Sequence, residues 1–540
     1  MIEKSQFVAN MLRYLLVLAS ILLAWEAAVY LANLPGFPSP STIGATLIEL
    51  RQKHIGHDIS ASLRRVMTGL SMAIFASIVL LALIVSIPRL ESIFQVPIDL
   101  LGSIPPIAWT PIAIFWFGIG DSPAYFIVFL GCFFPLFLGF HAAFQSVPDQ
   151  FLNSARVYGA SSFMSFMEVR LPAMMPRIIT AVKTALMVGW FNVIAAELIG
   201  VSSGLGYRIQ LSRTLLHIDE VFALMFIIGI LGWSLRLIIN LFEYITVPWS
   251  RDDLKNQKFA LILNRRFSRV LNLLKVTNDI QNNPTINSPS GNILKVQSLS
   301  FSYKSDIETD HKVLNNINFE VAKNTITAII GKNGCGKSTL LNCIAGLENN
   351  YQGNILFQDK IVHDISPQRA VVFQNHSIFP WMNVNDNMDF TLRCNGKKNN
   401  YGDINHWLEK IDLANSANLY PYQLSGGMQQ KLAVVRALAI SPGLLLLDEP
   451  FASFDPVVRA EITRDIRQIV RETNTSAIIV THSLDEAILV ADQVLVLSKA
   501  SGSISYVTDM RLSNEKRFID PPIHQIEQVR NTLFKFLRES

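Results

Sequence analysis

Apolar residues in this chain are crowded into its first half, and that segregation limits what it can fold into more than any other feature. Half of the 540 residues are hydrophobic, only 16% are charged, and mean hydropathy is +0.32. The apolar excess lies within residues 11–247, while charge concentrates after residue 250. Two solvents are implied, lipid for the first half and water for the second. A length of 540 residues also implies several domains rather than one.

A helix crossing about 30 Å of hydrocarbon needs about 20 apolar residues at 1.5 Å each. Six segments qualify: 11–32, 64–87, 93–117, 123–144, 177–198 and 221–247. The start, MIEKSQ, runs into the first of them without a small-residue cleavage signal, so an uncleaved first span is expected. Pro105, Pro106, Pro111 and Pro135 interrupt some segments. Such breaks persist in lipid only where neighbouring protein or a water-filled cavity satisfies the freed backbone groups, which favours a bundle around a path. Lys183 lies six residues into its span, about 9 Å deep, and can snorkel. Asn192, Glu197 and Arg236 either line the path, or sit at interfaces or pair within the bundle.

The second half carries chemistry that can be read locally. Residues 325–330, TITAII, predict a buried strand. It runs into Gly331-Lys332-Asn333-Gly334-Cys335-Gly336-Lys337-Ser338-Thr339 and then an apolar helix, LLNCIAGL. Strand, glycine-rich loop and helix in this order form a P-loop. The glycines let backbone N–H groups turn inward around phosphates, and the helix N-terminus adds partial positive charge. Lys337 is expected to reach the β- and γ-phosphates of ATP, and Ser338 to hold Mg²⁺. A second apolar strand, 444–447, ends at Asp448 and Glu449. Asp448 suits Mg²⁺ and Glu449 suits a general base that polarises water. A third, 478–480, leads to Thr481-His482, where the imidazole can contact the γ-phosphate. Gln374 ends a fourth, 371–373, and can sense water or Mg²⁺.

Together these residues resemble the ABC ATPases. The signature motif of that family is similar to Leu424-Ser425-Gly426-Gly427-Met428-Gln429-Gln430, with Ser425, Gly426 and Gly427 at a helix start. Residues 451–455, FASFD, resemble its D-loop, ending at Asp455. Tyr303 lies where the family stacks a ring on adenine, with Phe301 as a competitor. The resemblance spans 292 to about 500; beyond it, 518–536 predicts a terminal helix.

The membrane half resembles permeases of the nitrate/sulfonate/taurine importers. Residues 153–159, NSARVYG, nine further residues and then Val169-Arg170-Leu171-Pro172 have the spacing of their coupling loop. Asn153 and Ser154 depart from the family's Glu-Ala, while Ala155, Gly159, Leu171 and Pro172 remain. The segments 104–120, IPPIAWTPIAIFWFGIG, and 190–197, WFNVIAAE, extend the likeness. The expected fold is an α-helical transmembrane bundle of about six spans followed by an α/β P-loop ABC ATPase domain. Its divisions are a permease over 1–250 with a coupling loop at 147–176, a linker over 251–291 and an ATPase over 292–540. In the linker, Arg251, Lys255, Lys258, Arg265, Arg266, Arg269 and Lys275 among apolar residues suit a basic amphipathic helix on the membrane surface or a solvated one.

By family likeness the signature of one ATPase closes over the ATP of another, so a second copy of the chain, or a paralogous half, is expected as partner. A separate periplasmic or extracellular solute-binding protein and membrane lipid are the others. The resemblance places the chain in the bacterial cytoplasmic (inner) membrane, multi-pass, with its ATPase in the cytoplasm. The end of the last span is then cytoplasmic, with 145–176 inside and 33–63 and 199–220 outside. Arg89, Arg156, Arg170, Arg177 and Arg251 agree with the positive-inside rule, whereas Arg51, Lys53, Arg64, Arg65, Arg208 and Arg213 do not. Import is the expected direction, with a half-transporter exporter as the alternative. A soluble ABC protein acting on ribosomes or DNA is excluded by six spans, and the net charge of +4 calls for no nucleic-acid partner. Cys132, Cys335, Cys343 and Cys394 show no metal-ligand spacing and read as free thiols.

Overall fold

The computed structural model describes residues 2–32, 37–52, 55–250, 291–303, 311–374, 378–396, 401–451, 456–510 and 523–539. The chain divides into two compact units, one of Met1–Ser146 with Met174–Asn264 and one of Val147–Ala173 with Arg265–Ser540. The coupling loop therefore clusters with the ATPase residues although it interrupts the membrane half. The linker expected over 251–291 falls, up to residue 290, outside the described residues.

Among the described residues, four helices are long and apolar enough to cross a membrane: Ile55–Ser86, Asp121–Gln145, Ser162–Gly200 and Ile218–Thr246. The count rises to five if one bent pair is a single span. The bent pair is the segment expected over 93–117. It breaks into Arg89–Gly102 and Pro106–Phe117, bent by 89°. Pro105 and Pro106 sit at the break; neither has an N–H to continue a helical ladder, and proline pushes the residue before it out of the helical region. The first segment, 11–32, lies in the helix Ile2–Ala32, in which Ala19–Leu31 is an apolar stretch among the described residues. Within that stretch Glu26 accepts hydrogen bonds from the Ser41 N–H at 3.0 Å and hydroxyl at 2.7 Å.

Small residues let these helices touch, as membrane packing demands where lipid is as apolar as a leucine side chain. A Cβ on Gly69 would stand 2.6 Å from Val128 Cγ1, and one on Gly139 would stand 2.4 Å from Ala181 Cβ. Around these approaches lies a core of Val66, Leu70, Val128, Leu136, Trp190 and Val193.

The second unit is built on two sheets. The smaller has the order β2-β1-β4-β5, all antiparallel, from β1 Asn292–Tyr303, β2 His311–Ala322, β4 Tyr351–Phe357 and β5 Lys360–Ile361. The larger has the order β10-β9-β3-β8-β7-β6, from β3 Ile326–Ile330, β6 Arg369–Val372, β7 Leu444–Asp448, β8 Ser476–Thr481, β9 Gln493–Leu497 and β10 Ile504–Asp509. Its strands are parallel except for β10. Strands β3 and β8 are buried along their whole length, so they read in sequence as unbroken apolar runs. The registers Ile330↔Thr481, Leu447↔Ile479 and Val372↔Leu447 bring the carboxyl ends of β3, β8, β7 and β6 to one edge. Ligands of such sheets bind in the crevice outside that edge. The predicted terminal helix is present as Ile523–Glu539, with residues 511–522 outside the described set.

Candidate nucleotide site and coupling segment

The loop after β3 is shaped by its glycines. Gly334 and Gly336 have φ of +78° and +97°, which other residues rarely adopt, and a Cβ on Gly336 would stand 2.8 Å from Val313 Cγ1. The helix Lys337–Ala345 follows directly. Lys337 folds back so that its Nζ donates to the carbonyls of Gly331 at 2.9 Å and Lys332 at 3.2 Å. Lys332 points elsewhere, donating to the carbonyl of Arg538 on the terminal helix at 3.3 Å. The Cys335 thiol is buried under Gly331, and burial pushes its pKa up. Tyr303 is exposed, with its hydroxyl 3.3 Å from Thr339 Oγ1, while Phe301 is buried in the core beside it.

Three further strand ends reach this loop. From β7, Asp448 accepts from Ser338 Oγ at 3.1 Å. Burial pushes the Asp448 carboxyl above its ordinary range, with the hydrogen bond from Ser338 and the charge of Lys337 opposing. Glu449 has φ of +44°, a left-handed conformation that is strained for a residue with a Cβ. Its N–H donates to Val480 O on β8 at 2.9 Å, which ties the strained residue to the sheet. Its Oε2 accepts from Gln374 Nε2 at 3.2 Å and lies 3.4 Å from His482 Nδ1. Thus Lys337, Ser338, Gln374, Asp448, Glu449 and His482 converge at one sheet edge. A hydroxyl, a carboxylate and an amide gathered there are oxygen donors of the kind a small hard cation takes.

Not every predicted residue joins that group. Ser425 caps the helix Gly426–Leu438, accepting from the Met428 N–H at 3.3 Å, and Gly427 packs on Ile462. Among the described residues, no hydrogen bond of Ser425, Gly426 or Gly427 reaches the P-loop. Asp455 lies outside the described residues.

The coupling segment forms the helix Asp149–Val157, with Ala155 fully buried. Gly159 follows with φ of +90°; a Cβ there would stand 3.2 Å from the Cys394 carbonyl, so the backbone approach needs glycine. Leu171 and Pro172 lie in the helix that then runs from 162 to 200. Residues that motif spacing missed do most of the gripping. Tyr158 is covered by the Arg436 guanidinium, 4.9 Å from its ring, which also sits 5.0 Å from Phe379. Phe151 packs edge-on to Trp381, and Glu168 pairs with Arg393. The aromatic run Phe379-Pro380-Trp381, soon after Gln374, was the available signal.

In the first unit the structure also places the polar residues within spans. Glu197 pairs in the bundle: its side chain is fully buried and accepts from Arg65 Nη1 at 2.5 Å, Ser62 Oγ at 2.8 Å and the Gly206 N–H at 2.9 Å. Arg65, also fully buried, donates to Asp121 at 2.6 Å and to the Ser203 carbonyl at 2.8 Å. Lys183 lies 3.6 Å from Glu243, Asn192 donates to its own helix at Val188 O, and Arg236 is exposed.

Comparison with known proteins gives these sites a setting. Residues 314–452 match the family described as ABC transporter, and residues 69–252 match the one described as binding-protein-dependent transport system inner membrane component. The nitrate transport protein NasD of Klebsiella oxytoca is 33% identical over 246 residues, 44% of this chain and 94% of that protein. The aliphatic sulfonates import ATP-binding protein SsuB of Bacillus thuringiensis subsp. konkukian is 37% identical over 204 residues, 37% of this chain and 80% of that protein. The bicarbonate transport ATP-binding protein CmpC of Synechococcus elongatus is 34% identical over 250 residues, 45% of this chain, which spans only 38% of CmpC. Two of these relatives are named as ATP-binding proteins, and the permease match adds a multi-pass membrane portion; nothing supports an exporter. The chain belongs to the ABC transporter family, joining an importer's membrane component and its ATP-hydrolysing domain in one polypeptide.

Proposed function

We propose that two copies of the chain, or this chain with a paralogous half, import a small oxyanion or similar solute across a bacterial cytoplasmic membrane. Nitrate, sulfonates, taurine and bicarbonate are the candidates, delivered by a separate binding protein outside. The relatives named for nitrate, sulfonates and bicarbonate support this class of solute.

The single observation that carries the ATPase reading is the convergence of six polar side chains from four adjacent strand ends. Lys337, at the head of its helix, brings a cation and the helix's free N–H groups to the β- and γ-phosphates. Ser338, Asp448 and Gln374 would hold Mg²⁺, which when bound neutralises charge on the phosphate oxygens. Glu449 acts as general base toward the attacking water. Gln374 and His482, both directed at its Oε2, fix the carboxylate's direction. His482 also reaches the γ-phosphate, and the exposed ring of Tyr303 stacks on adenine. Ser425, Gly426 and Gly427 cap the nucleotide of the partner copy. ATP then favours the closed arrangement of the pair, and the coupling segment carries closure to the spans.

The test is Glu449→Gln in the full chain, reconstituted in vesicles. Loss of a general base slows hydrolysis by about 100-fold or more. ATP should stay bound and uptake should cease. Hydrolysis at the unaltered rate would overturn the assignment. For the solute, the cognate binding protein is melted with nitrate, alkylsulfonate, taurine and bicarbonate. A ligand at 100 times its Kd adds about 2.7 kcal/mol; no shift with any of them would exclude the oxyanion class.

A further inference from the structure

The nine residues between the two halves of the coupling motif contain a two-pronged ionic contact. Glu168 is the last of them. Its Oε1 accepts from Arg393 Nη1 at 2.8 Å and its Oε2 from Nη2 at 2.7 Å. This is a two-pronged guanidinium–carboxylate pair, the geometry that fixes direction as well as distance. Arg393 stands in the last turn of the helix Val384–Cys394, and its Nε donates to Asp389 Oδ2 at 2.9 Å one turn back. The guanidinium is thereby held in one plane before it meets Glu168. The backbone carbonyl of Glu168 accepts from Trp381 Nε1 at 2.9 Å. Glu168 is gripped at side chain and main chain together.

Position gives this grip its meaning. Glu168 lies in a π-wound stretch, Ser165–Arg170, near the start of the helix that runs on to Gly200 as a membrane span. Wide turns of this kind recur at functional sites. Both partners are about one-third exposed, 32% for Glu168 and 36% for Arg393, so the pair adds little to stability. Docking rests instead on buried groups: Ala155, Tyr158 under Arg436, and Phe379. An apolar contact tolerates sliding and rotation, whereas a two-pronged pair tolerates neither.

We propose that Glu168 and Arg393 are positioning residues that convert ATP-driven movement of the ATPase into movement of the span beginning at Ser162, and that without them the segment stays docked but slips. This rests on the ATP-driven cycle proposed above.

The experiment uses the full chain in lipid nanodiscs with Ser202→Cys, an exposed residue just beyond the end of that span. Phosphate release and the maleimide-labelling rate of the new thiol are measured with and without Mg·ATP. The otherwise unaltered chain is expected to change its labelling rate with ATP. Glu168→Gln and Arg393→Gln should keep hydrolysis within about twofold and lose the ATP-dependent change in labelling by about fivefold or more. The double substitution should be no worse than either single one, and Glu168→Asp should keep part of the response. A full response in Glu168→Gln would overturn the proposal. So would hydrolysis and response falling together, or losses that multiply in the double variant. If ATP leaves labelling unaltered before residue 168 is touched, the cycle itself fails and this role fails with it, which is a distinguishable result.

Discussion

Replacing Arg65 with Met should destabilise the membrane unit severely. The Arg65 and Glu197 side chains are both fully buried. The guanidinium serves Glu197 at 2.5 Å, Asp121 at 2.6 Å, and the Ser203 carbonyl and hydroxyl at 2.8 and 2.9 Å. It joins the beginnings of two helices, Ile55–Ser86 and Asp121–Gln145, to the end of a third, Ser162–Gly200. Methionine fills similar volume but supplies none of these donors. Glu197 would then keep only Ser62 and the Gly206 N–H as partners. Breaking a buried pair by removing one member costs about 3–5 kcal/mol, because a charge is left uncompensated. For a unit of this size each kcal/mol moves the melting temperature by about 2–4 °C, so a drop of about 10 °C is expected.

Whole-chain melting would mix the two units, which need not unfold together. Cys132 provides a local reporter, being fully buried in the membrane unit with its Sγ 3.3 Å from Ala185 O. With Cys335, Cys343 and Cys394 changed to Ala, a thiol-reactive dye reads unfolding of that unit alone. Adding Glu197→Gln to Arg65→Met removes the stranded charge and should recover at least half of the loss, since neighbours in one network are not additive. A melting temperature for Arg65→Met within about 2 °C of its parent, or a double variant as unstable as the sum of its singles, would refute the reasoning.

Three other outcomes follow from the same coordinates. Gly204 has φ of +110°, and a Cβ would fall 2.4 Å from Glu197 Oε1 and 2.5 Å from Arg65 Nη1, so Gly204→Ala should cost more than 2 kcal/mol by the same dye assay. Gly44→Ala is its control, meeting nothing within 4 Å and expected to be neutral or stabilising by about 1 kcal/mol. Asp448 has a folded pKa raised above its unfolded one, so it favours the fold only at acid pH and loses that contribution as pH rises through the folded value. At neutral pH in EDTA, Asp448→Asn should therefore raise the melting temperature of the ATPase unit by calorimetry while abolishing hydrolysis. Burial pushes the thiols of Cys343 and Cys394 up to about 12, so native protein should label with maleimide far more slowly than a free thiol at pH 8, and tenfold faster per added pH unit.

Legibility in the sequence tracked the range of the interaction. The P-loop is a run of adjacent residues whose backbone needs are local, so its glycines announce it. Strands β3, β7 and β8 are buried on both faces and could be read as apolar runs, with their polar ends falling together because parallel βα connections put every carboxyl end at one edge. The break in 93–117 was visible as Pro105-Pro106, but a count of apolar residues does not distinguish a straight span from two helices at 89°. In sequence Arg65 stands as an exterior charge at odds with the positive-inside rule. It is a core residue whose partners lie 56 and 132 positions away, and no local pattern carries that.

Glu168 carries no motif signal for a related physical reason. Motif spacing scores the residues that must be small, apolar or turning, and treats what lies between as length. Those scored positions govern whether a segment can fit into a groove: Ala155 for burial, Gly159 for close approach. They carry little about how force crosses the contact, because steric fit is indifferent to small rotations. Direction is carried by charges with fixed geometry, and such a charge can sit at any spacer position from which it reaches its partner. A chain that fuses permease and ATPase holds both members of the pair, so a change at one can be matched at the other within one gene. The pairing of Glu168 with Arg393 should accordingly act as a private lock. Moving residues 147–173 as a block into a chain with an uncharged residue at the position of Arg393 should preserve docking, measured by protection of the block from proteolysis, and lose coupling, measured by the labelling assay.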